Sequence, residues 1–161
     1  MSAESENLEA TQGFKEAMAR WVAGVAVVAA RDPDDGRIYA TTVNSLVGIS
    51  ADPPRVGFSL GPGAQVLPFL DEDATFAVSV LGASQRDLAS RFTDPFPVGP
   101  SPFAGEGEPF VRDAHARLRC SVEQKVEVGN SRLLVGRVRE GESGEGDGPL
   151  VYYNREYRSL K

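Results

Sequence analysis

The residues best suited to ligand chemistry lie in one short stretch, Thr42 to Ser50. An apolar run typical of a strand ends there in Thr42, Asn44 and Ser45, whose polar side chains need hydrogen-bond partners if they are buried. A bound ligand could supply those partners. The alternative is a turn at a strand edge, in which Asn44 and Ser45 bond their own backbone. The residue types alone favour the two interpretations about equally.

Patterns for catalysis by the protein's own side chains are missing from the sequence. His115 is the one histidine and Cys120 the one cysteine, so the chain offers neither a His/Cys zinc cluster nor an internal disulfide. No Gly-x-Ser-x-Gly motif accompanies His115. Cys120 lies at strand spacing between apolar residues, which is typical of a core position. Phosphate-binding and dinucleotide-binding glycine motifs are also absent, so the sequence disfavours nucleotide triphosphatases and Rossmann domains.

Composition narrows the function further. The chain has 161 residues, 17 Lys+Arg against 23 Asp+Glu and a formal net charge of -6. The length fits one domain over residues 1–161, and the acidic balance argues against nucleic-acid binding, which needs a basic face. No apolar run approaches the roughly 20 residues of a membrane helix, and the acidic start lacks the pattern of a signal peptide. No membrane partner is expected, and the expected location is the cytoplasm.

The elements that position the polar cluster are mostly strands, separated by many of the 17 Gly and 11 Pro. Strands are predicted over residues 22–30, 37–43, 55–60, 75–81, 118–126, 133–139 and 150–153. Helices are predicted from Leu8 to about Gly24, over 64–70 and from Ser84 to about Arg91, with residues 1–7 disordered. Most connections are short, which favours a mainly β, antiparallel barrel of six or seven strands with two or three short helices.

One long segment, residues 93–109, has many prolines and no periodicity. Its length is typical of a functional lid or an exposed excursion. Phe96 and Phe103 lie on it, so it could close over a ligand or pack against a partner subunit. An aromatic lid both excludes water and offers a stacking face, and we favour that interpretation.

Several segments together carry a resemblance to a known family. They are Phe14–Val28, Thr42–Ser50, Asp52-Pro53-Pro54, Gln85–Phe92, Val135–Val138 and Pro149–Tyr152. In order and spacing they resemble the flavin reductase-like, FMN-binding split-barrel family, over about residues 14 to 160. The resemblance implies a Greek-key antiparallel split barrel and a homodimer with flavin near the subunit boundary. It also implies hydride transfer from NADH or NADPH to FMN or FAD, with a flavin-dependent monooxygenase as a possible recipient of the reduced flavin.

The resemblance implies a set of flavin-binding residues and no catalytic side chain. Residues 42–45 match the segment along the isoalloxazine ring, Ser50 closes that motif, and the strand through Ser59 and Leu60 leads to the flavin phosphate. Backbone amides of Gly63 and Ala64 at a helix N-terminus could hold an anion. The candidate cofactor-binding residues are Thr42, Val43, Asn44, Ser45, Ser50, Ser59, Leu60, Gly63, Ala64, Arg86 and Arg91.

Two departures from the family pattern bear on activity. The loop Gly61–Val66 lacks the hydroxyl side chains that usually hold the phosphate, and Ser131 stands where the family often has a histidine. They leave open a second hypothesis, a flavin-binding split-barrel protein without reductase turnover, such as an electron carrier, a flavin store or a partner subunit. With a net charge of -6 and no phosphate hydroxyls, weak and exchangeable flavin binding is expected.

Overall fold

A computed structural model describes residues 2–94, 97–105 and 107–160, and strands make up most of its regular structure. The α-helices are α1 (Ala3–Met18) and α2 (Arg86–Arg91), and 3-10 turns cover Leu67–Phe69 and Ala83–Gln85. The strands are β1 (Ala23–Gly24), β2 (Ala26–Arg31), β3 (Ile38–Val43), β4 (Val47–Ala51), β5 (Pro54–Leu60), β6 (Thr75–Val80), β7 (Ala116–Val128), β8 (Ser131–Ser143), β9 (Leu150–Tyr153) and β10 (Glu156–Ser159). Among the described residues, no helix has both the length and the apolar character needed to cross a membrane.

The topology requires a strongly curved sheet. Seven antiparallel strands lie in the order β3-β2-β6-β7-β8-β5-β4, and β1, β9 and β10 form a smaller sheet. β3 and β4 are the two edges of the large sheet, yet only residues 44–46 connect them. A flat sheet of this width would separate its edges by about 29 Å, whereas that connection spans at most about 14 Å. The sheet therefore curls into a barrel whose described edge strands do not pair, which confirms the predicted antiparallel split barrel.

The strand β2 separates two cores, because both of its faces are buried. The barrel core contains Ala26, Val28 and Ala30 with Phe58, Phe76 and Leu134. The second core contains Val25, Val27 and Ala29 with Phe92, Phe103 and Leu150. A continuous apolar run predicts a strand buried on both faces, and the structure confirms that prediction.

The glycine at position 136 is required by packing in the barrel core. A Cβ at Gly136 would lie 2.6 Å from Cζ of Phe76, whose ring meets Phe58 edge-on at a centroid distance of 5.5 Å. Only glycine leaves room for that ring. This part of the family resemblance therefore reflects the fold rather than a ligand site.

The first helix differs from its prediction at both ends. It begins at Ala3, so the expectation of disorder over residues 1–7 is wrong for residues 3–7, while Met1 lies outside the described residues. Ser2 caps the helix by accepting a hydrogen bond from the Ser5 N–H, and Glu4 and Glu6 lie in the first turn, where the helix dipole favours acids. The helix ends at Met18 instead of near Gly24, because the chain enters the small sheet at Ala23.

Candidate functional site

A cavity of about 240 Å³ lies where β3 leads into β4. We call it the ring cavity. Its walls are residues 41–45 at the end of β3, residues 59–61 at the end of β5, Ala64, Thr93, Val25, and the tyrosines 152 and 157 of the small sheet. The site thus lies between the edge of the barrel sheet and the small sheet.

Two of the predicted hydroxyl groups in the wall already have backbone partners. Thr42 Oγ1 donates to the Ala89 carbonyl at 2.8 Å, which ties β3 to α2. Ser45 Oγ accepts from the Ser59 N–H at 2.9 Å and lies 3.2 Å from the Ser59 carbonyl, to which it donates. These contacts fix the connection between β3 and β4 against β5. The proposed turn, with Ser45 bonding its own backbone, is replaced by a bond across to another strand.

Three other polar side chains in the wall have no hydrogen bond to any described residue. They are the Asn44 amide and the hydroxyls of Thr41 and Ser59. An amide offers two donors and an acceptor, and each hydroxyl offers a donor and acceptor lone pairs. Together they suit the carbonyl and ring-nitrogen edge of a planar heterocycle.

The opposite side of the cavity is aromatic. The rings of Tyr152 and Tyr157 lie 5.3 Å apart at an interplanar angle of 57°. Burial and the neighbouring Tyr152 hydroxyl raise the pKa of Tyr157, so its hydroxyl stays protonated and can donate. Arg86 Nη2 donates to the Tyr157 carbonyl at 2.6 Å and so holds this wall in place.

The described lining of the ring cavity contains no residue that is charged at neutral pH. It combines an apolar floor, Val25 and Leu60, with neutral polar groups and two aromatic rings. Such a lining fits the neutral ring of a flavin, but it offers nothing to balance a phosphate.

The structure brings together Thr42, Val43, Asn44, Ser45, Ser59, Leu60 and Ala64 of the predicted set. Ser50 lies on β4 opposite Arg55 and is not among the residues that line the cavity. Arg91 donates to the carbonyls of Pro100 and Gly99 at 2.7 and 3.1 Å, and Arg86 donates to the Tyr157 carbonyl and is not among the residues that line the cavity. Both guanidinium groups therefore have contacts other than the predicted one with a phosphate.

The helix predicted over residues 64–70 is only a 3-10 turn over Leu67–Phe69, so Gly63 and Ala64 do not lie at the N-terminus of a helix. Gly63 instead borders a second cavity of about 480 Å³, which we call the cation cavity. Its lining consists of residues 62–65, Leu67, Pro68, Lys125 and Arg132. The ring cavity and the cation cavity share Ala64 in the loop that follows β5.

Sequence reasoning missed several residues of the two cavities. Thr41 is adjacent to the predicted cluster, and Tyr152 ends the Pro149–Tyr152 segment of the resemblance, so both carried a usable signal. Tyr157 lies on β10, a strand that was not predicted. Lys125 and Arg132 come from the β7–β8 hairpin, far along the chain from the loop they face.

The proline-rich segment does not cover the ring cavity in its described part, where Thr93 alone lines it. Phe103 packs against Phe92 in the second core, with centroids 5.6 Å apart. Arg31 Nη2 donates to the Gly107 carbonyl at 2.9 Å and fastens the segment to β2. Phe96 lies outside the described residues. The described part therefore packs against the barrel of its own subunit. Apart from Thr93, no described residue of the segment contacts the ring cavity, so this part does not support the lid interpretation.

Ser131, at the position where the family often has a histidine, is the first residue of β8. Its hydroxyl lies 3.5 Å from Asn130 Oδ1 at the tip of the β7–β8 hairpin, and it does not line the ring cavity. In the described structure, the position that often holds a histidine in the family therefore does not contact the ring cavity.

The comparisons with known proteins agree with this architecture. A family model described as "Flavin reductase like domain" matches residues 18–161. The reductase component of 4-hydroxyphenylacetate 3-monooxygenase from Thermus thermophilus is 36% identical, over 92% of this chain and 96% of that protein. The NADH-dependent flavin reductase StyB from Pseudomonas fluorescens is 34% identical, over 89% of this chain and 86% of that protein. The styrene monooxygenase flavin reductase from Pseudomonas putida S12 superposes with a TM-score of 0.83 at 31% identity, covering 92% of this chain and 97% of that one. The chain belongs to the flavin reductase like domain family.

Proposed function

We propose that this protein is an NADH-dependent flavin reductase that reduces FMN or FAD. The observation that carries the proposal is the ring cavity. Its uncharged lining has polar side chains without hydrogen-bond partners on one side and two aromatic rings on the other. Relatives that match nearly the whole chain are named NADH-dependent flavin reductases or FMN reductases, which supports the same activity here.

The absence of acid, base or nucleophile motifs is compatible with this activity. A bound flavin would itself accept the hydride of NADH, so the protein need supply only binding and orientation. Asn44, Thr41 and Ser59 would bond the polar edge of the ring, and Val43, Leu60 and Ala64 would contribute backbone and apolar surface. Tyr152 and Tyr157 would bound the site on the other side.

The deciding experiment is anaerobic stopped flow with purified protein, FMN or FAD, and NADH or NADPH. We expect NADH to bleach the flavin absorbance faster with protein than without it. A protein that binds flavin but does not accelerate its reduction by either nicotinamide would contradict the reductase proposal and support the flavin-binding alternative.

We also propose that the protein is a homodimer. Five aliphatic residues on the outside of the large sheet are 39% to 56% exposed, and we call them the outer sheet face: Val47, Ile49, Val126, Val128 and Leu133. The strand register places them side by side, since Val126 lies opposite Leu133 and Val47 lies opposite Gly57, which Ile49 covers. A contiguous apolar face of this kind is typical of a protein interface.

The outer sheet face borders the ring cavity. Ser59 lies opposite Leu133 in the β5–β8 ladder and also lines the cavity. A second copy seated on this face would therefore lie beside the site and help to exclude water from it.

A flavin-dependent monooxygenase is the proposed recipient of the reduced flavin. One relative is named as the reductase component of a monooxygenase, and a structural relative at 31% identity is the flavin reductase of styrene monooxygenase. Coupled turnover with such an oxygenase, compared with turnover fed by chemically reduced flavin, tests this role. The cytoplasmic location stays a prediction from the sequence.

A further inference from the structure

We propose that Lys125 and Arg132 hold the phosphate of the flavin nucleotide in the cation cavity. The assignment rests on the proposed function, because it presumes that the flavin ring lies in the ring cavity. It gives a role to two charged residues of the β7–β8 hairpin that the packing of the barrel does not explain.

Both cations lie on the inward face of the barrel sheet. Lys125 is opposite Leu134, which is opposite the core residue Phe58, and Arg132 is opposite Leu60. Inward positions of a small barrel are normally filled by apolar side chains. Here the side chains of Lys125 and Arg132 keep 27% and 28% exposure, so they mark the place where the barrel interior opens into the cation cavity.

The present partners of these cations are weak enough to exchange. Lys125 Nζ donates to the Leu67 carbonyl at 3.1 Å and lies 3.4 Å from Asp71 Oδ1. Arg132 Nη2 lies 2.9 Å from Glu127 Oε1, and its Nη1 donates to the Ser131 carbonyl at 3.2 Å. The two carboxylate side chains are 83% and 77% exposed. Exposed ion pairs contribute little, whereas a phosphate accepts several charge-assisted hydrogen bonds at once.

The lining of the cation cavity differs in charge from the protein as a whole, and the carboxylate partners of its two cations, Asp71 and Glu127, are not among the lining residues. The described lining contains Lys125 and Arg132 and no acid, in a chain with a net charge of -6. Among the described residues that line the ring cavity there is no cation, and its volume of about 240 Å³ is below the roughly 300–1,000 Å³ usual for ligand pockets. A flavin nucleotide therefore needs a second region to accommodate its phosphate.

The loop after β5 connects the two regions. Leu60, Gly61 and Ala64 line the ring cavity, and Pro62, Gly63 and Ala64 line the cation cavity. This loop has no hydroxyl side chain, so it offers an anion its backbone N–H groups and the neutral amide of Gln65. The cations of the hairpin supply the charge that the loop lacks.

A nucleotide phosphate in this cavity could belong to the flavin or to the nicotinamide dinucleotide. The loop shared with the ring cavity favours the flavin. Riboflavin distinguishes the sources, because it has the ring of FMN without its phosphate.

The experiment measures the dissociation constants of FMN and riboflavin by fluorescence titration, without NADH. The variants are Lys125→Met and Arg132→Gln, and the matched control is Arg119→Gln, which removes one positive charge from β7 at an ion pair with Glu140 outside both cavities. We expect the wild type to prefer FMN, and each site variant to weaken FMN binding roughly five- to tenfold while riboflavin binding stays unchanged. Lys125→Arg and Arg132→Lys keep the charge and should retain most of the FMN preference.

Two results would overturn the assignment. The first is a wild type that binds FMN and riboflavin equally, and the second is an FMN preference that survives both site variants. In the second case, steady-state turnover of the same variants with a raised KM for NADH would assign the cations to the dinucleotide. A wild type that binds neither flavin would instead contradict the proposed function together with this assignment, so the two failures are distinguishable. Thermal unfolding of each variant verifies that it is folded.

Discussion

The polar side chains around the ring cavity fall into two groups. Thr42 and Ser45 are bonded to backbone groups of α2 and β5, whereas Asn44 has no described partner. The first group holds the wall together, and the second is free to bind. Substitutions in the two groups should therefore affect different measurements.

Asn44→Ala tests the binding group. We expect FMN affinity to fall by about 0.5–1.5 kcal/mol, the net value of one hydrogen bond, with little change in stability because Asn44 is exposed. Fluorescence titration and thermal unfolding give the two quantities. The matched variant Thr42→Val should do the reverse, lowering the melting temperature through loss of the bond to the Ala89 carbonyl. Unchanged FMN affinity in Asn44→Ala would remove this residue from the site.

Glu123 gives a prediction for acid stability. Its carboxylate accepts a hydrogen bond from Arg55 Nε at 2.6 Å, and this bond, with the nearby Arg137 and Arg139, lowers the pKa of Glu123. A lowered folded-state pKa stabilises the protein above the ordinary value of about 4.3, and that stabilisation is lost as the pH falls through the lowered pKa. Wild type should therefore lose more stability below about pH 5 than the Glu123→Gln variant does, and thermal unfolding at several pH values measures both losses.

The control for this prediction is Glu9→Gln, an exposed carboxylate on α1 with no described partner. It should follow the wild-type pH dependence. Identical pH dependence of wild type and Glu123→Gln would contradict the assigned role of the ion pair.

The turn between β9 and β10 shows how an element carries local strain. Tyr153 pairs with Glu156, so Asn154 and Arg155 form a two-residue hairpin loop, with φ of 51° and 65°. Such turns favour Asn-Gly, since the second position is left-handed. Arginine at that position is strained by its Cβ, which glycine lacks.

Arg155→Gly should therefore stabilise the protein by about 0.5–1 kcal/mol, after the greater flexibility of glycine in the unfolded chain is subtracted. For a chain of this length that corresponds to a rise in Tm of roughly 1–4 °C, measurable by calorimetry. Asn154→Gly is the matched control and should change Tm less, because asparagine tolerates the left-handed region. A lower Tm for Arg155→Gly would show that the arginine side chain contributes more than the strain costs.

Elements with a continuous hydrophobic pattern were predictable, and elements shaped by tertiary contacts were not. The burial of β2 follows from its unbroken apolar run. The strand predicted over residues 133–139 ends before Gly141, but β8 continues to Ser143, and a Cβ at Gly141 would lie 2.9 Å from Leu118 Cδ2. That glycine makes room for a neighbouring strand, which sequence cannot distinguish from a turn glycine.

The same limit applies to the site. Residues 42–45 are contiguous, so their polar types were visible as a cluster in the sequence. Tyr157 reaches the ring cavity from the small sheet, and Lys125 and Arg132 reach the cation cavity through the pairing of β7, β8 and β5, which places Arg132 opposite Leu60. These pairings join residues far apart in the chain, and the sequence does not show them.

At the scale of the whole molecule, the net charge opposes the approach of an anionic flavin, whereas the local charge of the cation cavity favours its binding. The net charge of -6 repels an anionic flavin, while the described lining of the cation cavity is positive. Weak and exchangeable FMN binding is the expected result, and it is compatible with the proposed delivery of reduced flavin to a monooxygenase. The outer sheet face exposes aliphatic residues next to the ring cavity, and we expect a second protein surface to bury them.

A substitution on the outer sheet face tests whether a second copy of the chain buries it. Leu133→Glu should convert the dimer to a monomer at micromolar concentration, because a second copy would bury the new charges without partners. Light scattering after size-exclusion chromatography measures the mass, and Val98→Glu is the matched control, since Val98 is 86% exposed and lies on the proline-rich segment instead of the outer sheet face. Because Ser59 lies opposite Leu133 and lines the ring cavity, the monomer should also bind FMN more weakly. A dimeric Leu133→Glu variant would assign the subunit contact to another surface, for which the exposed apolar residues of α1, including Phe14 and Met18, are the next to test.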